Sequence, residues 1–120
     1  MQITELLATI RSQPSDLVFT DVLQVIDQNY SYTPVSFSNG IGEDALINAA
    51  GSNQGSCKVF AFARMHQLSE SETLACFAEH YRDVLADPNG ESHGNIRRFM
   101  RHGGKGITFE QEPLEANSLK

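Results

Sequence analysis

Tryptophan is missing from this 120-residue chain, and cysteine, proline and positive charge are scarce. Each shortage excludes something. Two cysteines, Cys57 and Cys76, are too few for a disulfide-stapled scaffold. Both sit in helix-like apolar patterns, so they are expected to be reduced core thiols that do not pair. Nine basic residues against fifteen acidic ones give a net charge of -6. That balance argues against general binding to nucleic acid or to an anionic membrane, because both need a positive surface. No apolar run approaches the roughly 20 residues that span a bilayer. No basic stretch followed by an apolar core opens the chain, so no Sec-type signal peptide is expected. The metal signatures HExxH, CxxC and the EF-hand loop are absent, and neither a metal nor another cofactor is expected.

What remains is an ordinary globular composition, 40% hydrophobic and 20% charged, with seven Phe and three Tyr supplying the aromatic bulk. The length suits one domain. Ile3, Leu6, Leu7 and Ile10 recur at helical spacing and predict a short first helix. Gln13-Pro14 breaks it. Ser15 or Asp16 caps a second helix, striped by Phe19, Val22, Leu23 and Ile26. Tyr30 to Phe37 reads as an extended segment or edge strand, because Pro34 cannot donate to a ladder. Ser38-Asn39-Gly40 signals a turn, and Glu43 to Ala49 one or two helical turns.

Asn53 caps a helix from about 54 to 66, apolar on so much of its circumference that it is expected to be central. Ser69 with Glu72 is a capping box opening one helix that runs to Pro88, striped by Leu74, Phe77, Ala78, Tyr81 and Leu85. His93 to His102 is a last helix with Ile96, Phe99 and Met100 inward, stopped by Gly103-Gly104. Ile107 to Phe109 alternates as a strand that would pair antiparallel with Val35 to Phe37. The expected fold is α+β and mostly helical, with about five helices and one small two-stranded antiparallel sheet. Residues 1–110 form the single domain, and 111–120 a flexible polar tail.

Five constellations are candidates for chemistry. Cys57 falls in the first turn of its helix, where the dipole lowers a thiol pKa, and one of His66, His80, His93 or His102 could serve as base. Cys76 and His80, four apart, would share a helix face, but two ligands do not make a metal site. Gly103-Gly104-Lys105-Gly106 lacks the earlier glycine and the Ser or Thr of a P-loop, and reads as a helix stop. Asn, Thr and Ser residues around Tyr30 and Tyr32 would line a polar pocket or form turns. Arg97, Arg98, Arg101 and Lys105 gather four of the nine basic residues, either to bind an anionic ligand or partner or to pair with Glu79, Asp83 or Asp87.

Four blocks also carry a family likeness: IDQNYSYTPVSFSNG, GSNQGSCKVFAFAR, LACFAEHYR and NIRRFMRHGGKGITFE. In this order the chain resembles the HopJ type III effector family over about residues 15 to 110. The resemblance implies a small protein of unsettled biochemistry, with no family site residues to transfer. It also implies, for some members, delivery by a type III secretion system of plant-pathogenic bacteria. Effectors usually begin with a disordered Ser-rich leader, whereas an amphipathic helix begins here at Ile3. A cytoplasmic role in a bacterium is therefore expected beside secretion. The function expected is binding of a protein or small anionic partner through Arg97, Arg98, Arg101 and Lys105. The alternative is a thiol-dependent enzyme using Cys57 and a histidine.

Overall fold

The apolar stripes find each other around one central helix. A computed structural model of the protein describes residues 1–117. Six α-helices are formed among them: α1 Ile3–Ser12, α2 Phe19–Asn29, α3 Gln54–Met65, α4 Glu70–Ala75, α5 Glu79–Ala86 and α6 Gly94–His102. Five short strands accompany them: β1 Tyr30–Tyr32, β2 Phe37–Asn39, β3 Leu46–Asn48, β4 Ile107–Phe109 and β5 Leu114–Ala116. The class is α+β and mostly helical, as its periodicities predict, but with two small antiparallel sheets instead of one. In the first, β2 lies between β3 and β4; in the second, β1 pairs with β5.

Helix α3 buries Cys57, Val59, Phe60, Ala61, Phe62 and Ala63, so apolar residues on several faces all find partners. Phe62 is fully buried and packs edge-on against Tyr30, with ring centroids 6.1 Å apart. Phe60 meets Phe77 at 5.3 Å and Phe99 at 5.2 Å. Helix α1 presents Leu6 and Ile10, and α2 presents Val22, Val25 and Ile26, to the same core. The second helix starts later than expected, because Pro14–Asp16 forms a separate 3-10 turn.

Strand pairing follows the predicted partners at a shifted register. Phe37 faces Phe109, and Asn39 faces Ile107. The turn begins at Gly40 instead of Ser38, so β2 runs through Asn39. Gly40 has φ of +116°, and a Cβ there would stand 2.7 Å from the backbone oxygen of Asp44. Only glycine fits that approach. The helical turns expected over Glu43–Ala49 are instead a 3-10 turn at Gly42–Asp44 followed by β3. Phe37 pairs with Asn48 on this side of the sheet.

The long helix expected from Ser69 to Pro88 is broken in two. The Ser69–Glu72 capping box is present: the Glu72 amide donates to Ser69 Oγ at 3.1 Å, and the Ser69 amide to Glu72 Oε1 at 2.9 Å. Ala78 then adopts φ of +53° and redirects the chain into α5. The break rotates the second half, so Val84 is buried and Leu85, expected inward, is 53% exposed. Cys76 and His80 consequently lie on different helical segments.

Strand β5 falls within the stretch expected as tail. Leu114 is 2% exposed, and Tyr32 pairs with it. Leu114 and Ala116, two apolar residues among polar ones, are too few to give a readable period. Residues 118–120 of the expected tail lie outside the described residues.

Candidate functional site

Two helix N-termini converge on one cleft. Helix α3 starts after Asn53 and α6 after His93, and both N-cap residues are left-handed, with φ of 51° and 56°. Neither receives a side-chain cap. Geometry leaves the first amides of a helix without intrahelical acceptors. The amides of Gly55, Ser56, Gly94 and Asn95 accordingly have no hydrogen-bond acceptor among the described residues. These first turns wall a cavity of about 230 Å³, closed on other sides by Phe19, Phe77, His80 and His93. A larger hollow of about 410 Å³ beside Pro113 and Leu114 gathers no comparable group of histidines or helix ends.

The histidines meet between the first turn of α5 and the start of α6. His80 and His93 have ring centroids 5.1 Å apart. His80 stands edge-on to Phe19 at 4.7 Å, and its Nδ1 is buried without a hydrogen-bond partner. His93 Nε2 lies 3.8 Å from Asp83 Oδ2. Ligand-capable atoms of His80, Asp83 and His93 all lie within 4.8 Å of one another. Local spacing could not show this group, because His93 reaches it only through the tertiary fold.

A buried asparagine network fixes the α6 end of the cleft. Asn39 and Asn48 project from neighbouring strands, and Asn95 lies on the first turn of α6. They are 0%, 2% and 6% exposed. Asn39 Nδ2 donates to Asn95 O at 2.8 Å and Oδ1 at 3.0 Å. Asn95 Nδ2 donates to Asn48 Oδ1 at 2.9 Å, and Asn48 Nδ2 to Asn95 Oδ1 at 3.2 Å. Asn53, the α3 N-cap, donates to Asn48 Oδ1 at 2.6 Å. The network therefore ties both helix starts to one strand pair. Only Asn39 stood in the polar stretch singled out from sequence; Asn53 was expected only as a helix cap, and Asn48 and Asn95 carried no separate signal.

The arginines support this end of the molecule. Arg97 is 8% exposed; its Nε donates to Ser92 O at 2.5 Å and its Nη1 to Pro88 O at 3.4 Å. These bonds clamp the loop that delivers His93. Met100, expected inward, is 42% exposed instead. Arg98 donates to Asp44 O at 2.8 Å and Gly94 O at 3.3 Å. Arg101 grips Asp44 with both branches of its fork, at 2.8 and 3.0 Å, and His102 Nε2 lies 2.7 Å from the same carboxylate. Lys105 is exposed at the exit of the helix. The acidic partner met here is Asp44, distant in sequence, and not Glu79, Asp83 or Asp87.

Hydrogen bonds from Arg101 and His102 hold Asp44 down at about 2. A carboxyl depressed below its unfolded value binds fewer protons folded than unfolded, so its contribution is complete above the unfolded value, near 3.8. It is lost as pH falls from about 4 towards about 2. Asp44→Asn should lower the melting temperature at neutral pH and converge with wild type in acid. Melting curves between pH 7 and pH 2 check this.

Cys57 does not have the setting of an activated thiol. It is 1% exposed, and burial raises its pKa in spite of its first-turn position. The Tyr32 hydroxyl beside it is itself pushed up to about 12, chiefly by burial, and has no partner in hydrogen-bond geometry. His66 bonds Tyr30 at 2.6 Å instead, and burial lowers its pKa. Cys76 is fully buried and pushed up to about 12. Both thiols are unpaired. A thiol reagent should therefore react slowly with the native protein and titrate two thiols after denaturation; rapid native labelling at Cys57 would contradict this burial.

These features define a small α+β protein with a cleft between two helix ends. The family described as HopJ type III effector protein matches residues 3–114, and the chain belongs to it. A crystal structure of the "unknown function protein VPA0580" is similar, at 42% identity and a TM-score of 0.91. The match covers 98% of this chain and 95% of that one. A comparison with curated proteins finds no match. No described helix is long and apolar enough to cross a membrane.

Proposed function

We propose that the protein acts by binding, and that the cleft between α3 and α6 receives a small anionic group. The convergence of two uncapped helix N-termini carries this reading. Each end bears a partial positive charge, and unbonded amides suit phosphate or carboxylate oxygens. Gly55 and Gly94 offer backbone without a side chain in the way, and Ser56 adds a hydroxyl at the wall. His80 and His93 add donors there, more strongly when protonated. The buried, protonated thiol of Cys57 favours binding over thiol catalysis. Action from a bacterial cytoplasm, or from a cell reached through a type III system, belongs to the same proposal.

Titration of metal-stripped, isotopically labelled protein with inorganic phosphate tests it. The amide resonances of Gly55, Ser56, Gly94 and Asn95 should move together and saturate. If they stay fixed while other resonances respond, the cleft is not the anion site. A second reading places the anion or partner on the outer face of α6, where the Arg101 side chain is 51% exposed and Lys105 is near. Arg97 and Arg98 would support that face from behind. Shifts confined to Arg101, Lys105 and their neighbours would favour it. Cys57→Ser should leave either kind of binding intact, whereas a thiol enzyme would lose all function.

A further inference from the structure

We propose that His80, Asp83 and His93 bind one divalent transition-metal ion of the zinc class. This goes beyond anion capture and does not depend on it. His80 and Asp83 are three residues apart on α5 and so lie on one face of the helix. His93 comes from a separate element, at the start of α6. Two imidazoles and a carboxylate are a donor set that suits zinc and its neighbours. Three protein ligands also leave a coordination position for water or a substrate oxygen. Both histidines also line the cavity of about 230 Å³, with Asp83 outside its wall.

Three further observations separate this group from a chance meeting of surface side chains. The buried Nδ1 of His80 has no partner, and buried polar atoms of that kind usually have one. His93 is held in a left-handed conformation that non-glycine residues rarely adopt. That conformation is secured from behind. Arg97 bonds the carbonyl of Ser92, the residue before His93, and Asn95, two residues after it, is locked into the asparagine network. Metal sites are built on such supported ligands.

The carboxylate is the movable member. Donor atoms around tetrahedral zinc stand about 3.3 Å apart, given bonds of about 2.0–2.1 Å. Here they span up to 4.8 Å, with His93 Nε2 and Asp83 Oδ2 at 3.8 Å. The Asp83 side chain is 67% exposed and can shorten its 3.8 Å separation from His93 by rotation. A bound dication would also add positive charge beside the two helix ends and strengthen anion binding by linkage.

The test uses untagged full-length protein, stripped with a chelator and titrated calorimetrically with Zn²⁺ in a non-coordinating buffer. One equivalent should bind, and Co²⁺ in its place should give visible d–d absorption. His80→Gln and His93→Gln should each weaken Zn²⁺ binding by about tenfold or more, on the scale seen when metal-site residues are changed. Asp83→Asn should weaken it too, and its exposed side chain carries no folding role that could confuse the result. His66→Gln and His102→Gln should bind as wild type does. Absence of stoichiometric Zn²⁺ binding by the wild type overturns the proposal. So does wild-type affinity in both His93→Gln and Asp83→Asn. The phosphate titration is run without metal, so failure of either proposal leaves the other standing.

Discussion

Asn95→Ala should destabilise the protein by about 3 kcal/mol or more. A hydrogen bond between buried polar groups contributes about 0.5–1.5 kcal/mol net. This one truncation removes three: Asn39 Nδ2 loses its side-chain acceptor, and Asn48 loses both a donor and an acceptor. Asn39 Oδ1 is already without a partner, so the network has little slack. Asn53 still reaches Asn48, and Asn39 keeps the backbone carbonyl of residue 95. The loss should therefore stop short of unfolding. Urea denaturation measures it directly. A change below about 1 kcal/mol would mean that water replaces the amide and the network adds little. Beyond stability, the α6 start should loosen, and exchange of the Arg97 amide, which bonds the His93 carbonyl, should rise.

The parts of this molecule legible from sequence are those where one period holds. The stripes of α1 and α3 named their buried residues, and that of α2 named Val22 and Ile26 though not Val25, because an amphipathic helix repeats the same demand every turn. The Ser69–Glu72 box named its own helix start, because that signal is local. The errors lie where conformation is set from a distance. Nothing local requires Ala78 to take positive φ, so the break between α4 and α5 was invisible, and with it the true facing of Val84 and His80. Arg97 reads as surface from its charge, yet its long stem packs inward while its head finds carbonyls at Pro88 and Ser92. The cleft was the hardest part to read. Its histidines stand 13 positions apart, and its asparagines come from two strands, a loop and a helix.

Phe77→Ala should cost about 3–5 kcal/mol, the usual range for removing a buried aromatic side chain. Phe77 is 2% exposed and sits where the core meets the cleft. Its ring stacks parallel to Phe19 with centroids 6.0 Å apart and packs against Phe60 at 5.3 Å. For a domain of this size the melting temperature should fall by roughly 12–20 °C. The void cannot close easily. On one side α3 is pinned by its own buried face, and on another the chain is committed to the Ala78 turn one residue on. Phe19 is the neighbour with freedom to move, since it is only partly buried and opens α2. If it tilts into the space, it withdraws from His80, whose ring it meets at 4.7 Å. Phe77→Ala should then disturb the imidazole resonances of His80 before it disturbs those of His66, which rests on Tyr30 and Phe62. Phe77→Leu keeps most of the volume and should cost less than half as much, with His80 little changed. Equal losses in the two variants would show that ring stacking, not filled volume, holds this junction.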